Sequence, residues 1–377
     1  MTKAQRKKVQ ARKDRERALE LAEKYRRGKI YKFATFAEVG TLIDGNYSLF
    51  DAKNMVNALP FPNVAVNEPV MITSLAIDQD VLVIKAIPQL TKVQEAIEAI
   101  RKAGDINLIA HWPDFGYATF DQLDTMARII EARIRFALVM RTVKWIQEAE
   151  WNVCDIREPF GDTNSISKNE HSAYVETLNL ATNEIPGELV AGYQLLDFRE
   201  NLWLHTTSIL VSMMELRDEY PDPDVGVINP SFHGFASLEQ KRRVAGGLGA
   251  SNPQNKHVIG IFNISAHWVA FLVDRTKAVC SMFDPLQCDT NYAIIEKTGR
   301  RVIEDILQVK GILKYQEVDW CTQQDGSSCD VWCIAVLEML LSDARWDDCI
   351  YNLVPYLRMR FLHKAIGFVG KQTDVLC

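Results

Sequence analysis

The chain has 377 residues, of which 47% are hydrophobic, 24% charged and 9% aromatic, and a formal net charge of -6. That length allows two domains, or one domain of about 200 residues with an appended region, and the composition is that of a globular protein. There is no uninterrupted apolar stretch of about 18 residues to span a bilayer, and the basic N-terminus lacks the apolar core of a secretory signal, so a membrane protein is excluded and the nucleus or cytoplasm is the expected location.

Residues 1 to 30 hold 12 Lys and Arg against 4 Asp and Glu, a local charge of +8 that leaves -14 for the remainder. Rich in Ala, Lys, Arg and Glu and poor in large apolar residues, residues 1–29 read as a basic tail, helical or disordered. Such a tail suits nucleic acid, an acidic partner or an import receptor, or it is merely a solvated segment.

Residues 30–184 form an N-terminal region with no chemistry of its own. An extended run is expected at Val81–Lys85, a helix from Lys92 to Lys102, and a longer one from Phe120 to Glu148, where Leu123, Ala127, Ile130, Ile134 and Leu138 recur at helical spacing. His111 and Trp112 precede Pro113 without a downstream acid and thiol, and read as structural. The polar cluster Asp162 to Ser172 suits an exposed loop, and the domain boundary is placed near it, at 184/185.

In residues 185–377 a helix is expected from Trp203 to Arg217, a short strand at Val225–Ile228, and a helix from Ser237 to Ala245. Two apolar runs, Val258–Ile264 and Trp268–Val273, read as strands, and a third, Ala278–Phe283, follows the polar turn Asp274–Lys277, which suits a hairpin. A helix from Tyr292 to Val309, a strand near Tyr315–Val318 and an apolar helix from Cys329 to Leu341 complete the pattern.

The eight cysteines, at 154, 280, 288, 321, 329, 333, 349 and 377, are scattered, so neither a disulfide scaffold nor a zinc site is expected; Cys329 and Cys333 lack a matching His pair. Cys329 stands apart for another reason. It opens an apolar helix, where unpaired N–H groups and the positive end of the helix dipole favour a thiolate. His267 begins one strand and Asp284 follows the next, so a hairpin brings them within reach of each other. Gln323, six residues before the thiol, is placed to turn its amide toward an oxyanion, with Gly326 allowing the tight turn between them. A thiolate, an imidazole, an acceptor to orient it and oxyanion donors are what a thiol protease needs.

With these residues in view, the sequence resembles the Ulp1-like SUMO proteases and their relatives that cleave other ubiquitin-like proteins. The resemblance runs from about Gln194 to Ser342 and rests on Trp203-Leu204, His267-Trp268, Phe283-Asp284-Pro285-Leu286 and the Gln-x-x-Gly-x-x-Cys pattern from Gln323 to Cys329. It implies nucleophile Cys329, base His267, orienting acid Asp284 and oxyanion donor Gln323, with Trp203 and Trp268 lining a tunnel for a Gly-Gly tail. It further implies an α+β papain-like domain over 185–377, its nucleophile on a central helix against an antiparallel sheet, preceded by a separate mixed or helical N-terminal region. The partner is a ubiquitin-like protein or its conjugates, and neither cofactor nor metal is required. Two departures bear on specificity. The family usually has Gly after the nucleophile, where this chain has Asp330, whose charge tends to raise the thiol pKa. After Trp-Leu the family often has Asn-Asp, and this chain has His205-Thr206. The alternatives are a clan-related acetyltransferase, which typically carries Glu in place of Asp284, and a non-catalytic module that only binds a ubiquitin-like protein.

Overall fold

In the computed structural model, which describes residues 40–56, 69–74, 88–105, 107–112, 116–221 and 224–376, the chain divides between Ala137 and Leu138 into two units. The basic tail 1–29 and the run Val81–Lys85 lie outside the described residues.

The first unit contains helix α1 (Leu49–Val56), strand β1 (Met71–Thr73), helix α2 (Leu90–Ala103) and strands β2 (Ile109–Trp112) and β3 (Gly116–Ala118). The three strands form an antiparallel sheet in sequence order. Helix α2 buries Val93, Ala96, Ile97 and Ile100, one stripe at helical spacing, and ends on Gly104, whose φ of 76° only glycine adopts without cost. His111 stacks on Tyr117 with ring centroids 4.2 Å apart. Helix α3 spans Phe120–Glu148, the interval its periodicity predicts, and the division between the units falls within it.

The second unit continues with helix α4 (Lys168–Glu176), the hairpin β4 (Thr182–Ile185) and β5 (Glu188–Ala191), helix α5 (Thr206–Glu219), strand β6 (Val225–Val227) and helix α6 (Leu238–Gly246). Strands β7 (His257–Ile264), β8 (His267–Asp274) and β9 (Val279–Phe283) follow. Next come helix α7 (Asp289–Thr298), a wider turn at Gly299–Ile303, helix α8 (Glu304–Leu307), strand β10 (Lys314–Glu317), helix α9 (Cys329–Ser342) and helix α10 (Val354–Leu376).

The sheet order is β10-β9-β8-β7-β6. Strands β7, β8 and β9 are antiparallel, whereas β6 runs parallel to β7 and β10 parallel to β9. The antiparallel sheet that the resemblance implies is thus corrected to a mixed one. Helix α6 connects β6 to β7 and helices α7 and α8 connect β9 to β10, and such crossovers return the chain in its original direction.

Strands β7 and β8 read as near-continuous apolar runs because both faces are covered. Val269, Phe271 and Val273 of β8 join Phe262, Tyr292, Ile295, Val302 and Leu307 in one buried cluster. Helix α9 covers the opposite face, packing on β8 and sending Cys333 Sγ to the Trp268 carbonyl at 3.4 Å. Residues Cys329 to Met339 are all buried, so this helix is apolar on every side except at Asp330 and Glu338. Helix α10 answers both: Arg360 bonds both oxygens of Glu338, at 2.7 and 2.6 Å, and Arg358 reaches Asp330. Residues 153–180 are tied to the same helix through Asp162 to Arg360, Thr163 to Tyr356 and His171 to His363.

Candidate active site

His267 owes its position to a two-residue turn. Ser265 and Ala266 both have positive φ, 48° and 67°, the twist required to join β7 to β8 tightly, and Ala266 N–H is fixed by Asn263 Oδ1 at 2.9 Å. Ile264 then pairs with His267, so the imidazole leaves the first position of β8.

Asp284 directly follows β9, the strand paired with β8, and is fully buried. His267 Nε2–H donates to its Oδ1 at 2.6 Å. The carboxylate also accepts from Leu286 N–H at 3.1 Å, from Cys288 N–H at 2.9 Å and from Asn291 Nδ2 at 2.9 Å. Burial alone would raise its pKa, but the bond from His267 and these donors outweigh it and hold the group below the usual carboxylate range.

Cys329 is 4% exposed and is the first residue of α9. His267 is its titratable neighbour, with Nε2 of the ring engaged by Asp284. Burial pulls the His267 pKa down, yet the bonds to Asp284 and Cys329 reverse this and carry it to about 9. At neutral pH the imidazole therefore holds its proton between a carboxylate and the sulfur.

The loop before Cys329 is built by Asp325, whose Oδ1 accepts from Ser327 N–H at 3.0 Å and Ser328 N–H at 2.9 Å, while Oδ2 accepts from Ser328 Oγ at 2.7 Å. This aspartate also engages Gln323, whose Nε2 donates to the Asp325 carbonyl at 2.6 Å and to Oδ1 at 3.0 Å, leaving Gln323 Oε1 buried without a partner. The side chain expected to face an oxyanion is thus occupied here, and the Cys329 N–H, at the first position of a helix, is left without an intrahelical acceptor. Gly326 has no positive φ and open space around its Cβ position, so the turn does not depend on glycine as expected.

Trp203 does not start a helix, contrary to the expectation from its sequence. Leu202 C=O accepts from Arg358 Nη1 at 2.8 Å, Leu204 N–H donates to Asp330 Oδ2 at 2.6 Å, and His205 N–H donates to Asp197 Oδ2 at 2.9 Å. These bonds hold the segment extended until His205 caps α5 by accepting from Thr207 N–H. Trp203 is 52% exposed, whereas Trp268 is 6% exposed and packed beneath α9, so of the two tryptophans only the former offers a broad face to solvent.

Asp330 is fully buried and opposed by Arg358 at 3.5 Å. Burial pushes its pKa up, and Arg358 pulls it back. The negative charge that the sequence sets beside the thiol is therefore countered by a cation from a distant helix. Arg358 and Asn291 are the site residues that sequence reasoning missed. For Arg358 a signal existed: two arginines within the apolar run Leu357–Leu362, matched by two acids in the apolar helix after Cys329. Asn291, one polar residue in a first helical turn, carried none.

No protein-family profile and no curated protein matches this chain. Solved structures do resemble it. The Ulp1 SUMO protease with its catalytic cysteine oxidised to a sulfonic acid shares 16% identity, covering 59% of this chain and 98% of that one, with a TM-score of 0.44. The C-terminal Ulp1 protease domain in complex with Smt3, the yeast ortholog of SUMO, shares 13% identity over 56% of this chain and 97% of that one, TM-score 0.44. The Chaetomium thermophilum Ulp1-like SUMO protease catalytic domain shares 13% over 57% and 90%, TM-score 0.42. The chain is thus similar to Ulp1-like SUMO protease structures, and likeness of this extent carries no weight beside the geometry of its own side chains.

Proposed function

We propose that this chain is a cysteine-type peptidase of the Ulp1-like kind, cleaving after the Gly-Gly-like C-terminus of a ubiquitin-like protein, in maturation or deconjugation. The observation that carries the reading is His267, bonded to a fully buried carboxylate and neighbouring Cys329 at the first turn of a buried helix. His267, protonated at neutral pH, holds the proton it shares with Cys329 while the sulfur attacks the carbonyl carbon, and the resulting oxyanion is met by the Cys329 N–H. Gln323 joins as a second donor by exchanging Asp325 for the substrate oxygen. The tetrahedral intermediate collapses, the scissile C–N bond breaks and His267 passes its proton to the departing amine. Water, deprotonated by the now neutral His267, then hydrolyses the thioester, releasing the acid and restoring the thiol. Asp284 keeps the imidazole in the tautomer and orientation that both halves require. Trp203 and Trp268 flank the path of the glycine tail.

The test is reaction with ubiquitin-like proteins carrying a C-terminal electrophile, with and without Cys329→Ala. A covalent adduct on Cys329 that the variant loses supports the proposal. No adduct with any probe, with tight non-covalent binding retained, favours the binding module; acetyl transfer to the thiol without peptidase activity favours the acetyltransferase.

A further inference from the structure

Among the ion pairs that join α9 to α10, two made by arginine differ in kind. Glu338 and Arg360 face each other through two short bonds, the geometry that anchors one helix to another. Asp330 and Arg358 touch at only 3.5 Å, although both are fully buried. Each directs its better hydrogen bonds elsewhere. Arg358 donates to Leu202 C=O at 2.8 Å and Ser327 C=O at 3.3 Å, while Asp330 Oδ2 accepts from Leu204 N–H at 2.6 Å and Oδ1 from its own helix at Val331 N–H, 2.7 Å. Between them they grip Ser327, two before the nucleophile, Val331, two after it, and both neighbours of the exposed Trp203. Arg358 Nε is left without a partner, so the guanidinium is spent on these loops without being fully satisfied.

We infer that Asp330 and Arg358 are a positioning pair that locks the Cys329 turn against the Trp203 segment and balances charge beneath the nucleophile. This rests on Cys329 being the nucleophile. A buried charge pair of opposite signs next to a sulfur has a property that packing lacks: removing either partner pushes thiol reactivity along the pH axis in opposite directions. The titratable groups that interact with Cys329 are His267 from the sheet, Cys333 from its own helix and Arg358 from α10, with Asp330 next to it in sequence, Asp284 bonded to His267, and Asp325 acting on Arg358 from the preceding loop. Only Arg358 pairs across to Asp330, so the two can be separated from the rest by substitution.

The experiment is alkylation of Cys329 in the full chain by chloroacetamide from about pH 5 to about pH 9, followed by mass spectrometry of its peptide. Asp330→Asn leaves the cation unopposed, and its profile is expected about half a unit or more below that of the wild type; Arg358→Gln leaves the carboxylate unopposed and moves it upward by a similar amount. The double variant returns toward the wild type. Arg358→Lys keeps the charge and therefore the position of the profile, while losing the fork that holds Leu202 and Ser327, so its reaction with a ubiquitin-like probe slows about tenfold. Asp330→Asn and Arg358→Gln profiles that superimpose on the wild type, or move the same way, overturn the inference. Should Arg358→Gln fail to fold, Asp330→Asn decides alone, a coincident profile being fatal. A wild-type Cys329 no more reactive than the exposed Cys154 strikes instead at its assignment as nucleophile.

Discussion

Two histidines of the second unit are withdrawn from water, and their pKa values end on opposite sides of the ordinary one. His171 in α4 is 1% exposed, its Nδ1 is 3.1 Å from Nδ1 of His363 in α10, and its Nε2 has no partner. Burial, reinforced by His363, lowers its pKa to about 4. His267 is burdened by burial too, but sits between Asp284 and Cys329 and rises to about 9. The comparison teaches that withdrawal from solvent sets only the opening penalty; the sign of the outcome belongs to the partner. An imidazole paired with another imidazole is a neutral packing element, and one held by a carboxylate and a thiol is a proton carrier.

Removing the partner breaks the comparison most severely. Asp284→Asn should bring the His267 titration, followed by NMR, down from about 9, and cut turnover of a ubiquitin-like fusion about a hundred- to ten-thousand-fold. Near-wild-type turnover in a folded Asp284→Asn protein would remove the basis of the mechanism.

Next in size is acid sensitivity at the neutral pair. The folded pKa of His171 is depressed, so its contribution is present above 6.5 and disappears as pH falls toward about 4. The loss is on the order of 3 kcal/mol. Thermal melts of the wild type should show it, and His171→Phe should flatten that part of the curve; a slope unchanged in the variant would place the acid sensitivity elsewhere. Charges near the pair, Glu170 beside His171 and Asp162 beside His363, are too weak to reverse it.

The alkaline side carries the opposite sign. A raised pKa means that the His267 contribution is complete below 6.5 and fades as pH climbs through about 9, so the stability margin of wild type over His267→Phe should narrow across that window. It should be smaller than the acid effect, because the ring is 15% exposed and water screens it. A margin independent of pH would contradict the charged state assigned to the ring. Smallest of all, Ala266→Gly should raise thermal stability by about 0.5 kcal/mol, relief of a positive φ being partly offset by the greater freedom of glycine in the unfolded chain. A lower melting temperature would show that the turn bearing His267 is not under that constraint.

Local signals were legible wherever a residue's role depends on its neighbours in sequence. The periodicity from Phe120 to Glu148 and the paired apolar runs around His267 specify a helix and a hairpin, and together they bring Asp284 beside His267. What sequence could not reveal was contact across long intervals. Helix α10 went unread because Arg358, Arg360 and Lys364 interrupt its apolar pattern, and their burial makes sense only once Asp330, Glu338 and Asp162 are known to face them. The stretch from Asp162 to Ser172 read as a polar loop for the same reason: Thr163, His171 and Ser172 are buried against partners nearly 200 positions away or on a neighbouring helix. Gln323 was placed correctly in the loop, but Asp325, two residues on, captures its amide.

The guanidinium beneath the Cys329 turn is supplied by a helix that begins 25 residues after the nucleophile. A nascent chain emerging from the ribosome therefore has sulfur, imidazole and carboxylate in hand before the cation that steadies them has been made. Until that helix docks, the bond from Leu204 to Asp330 ties the thiol turn to the tryptophan segment alone, and the Arg358 bonds to Leu202 and Ser327 are added only afterwards.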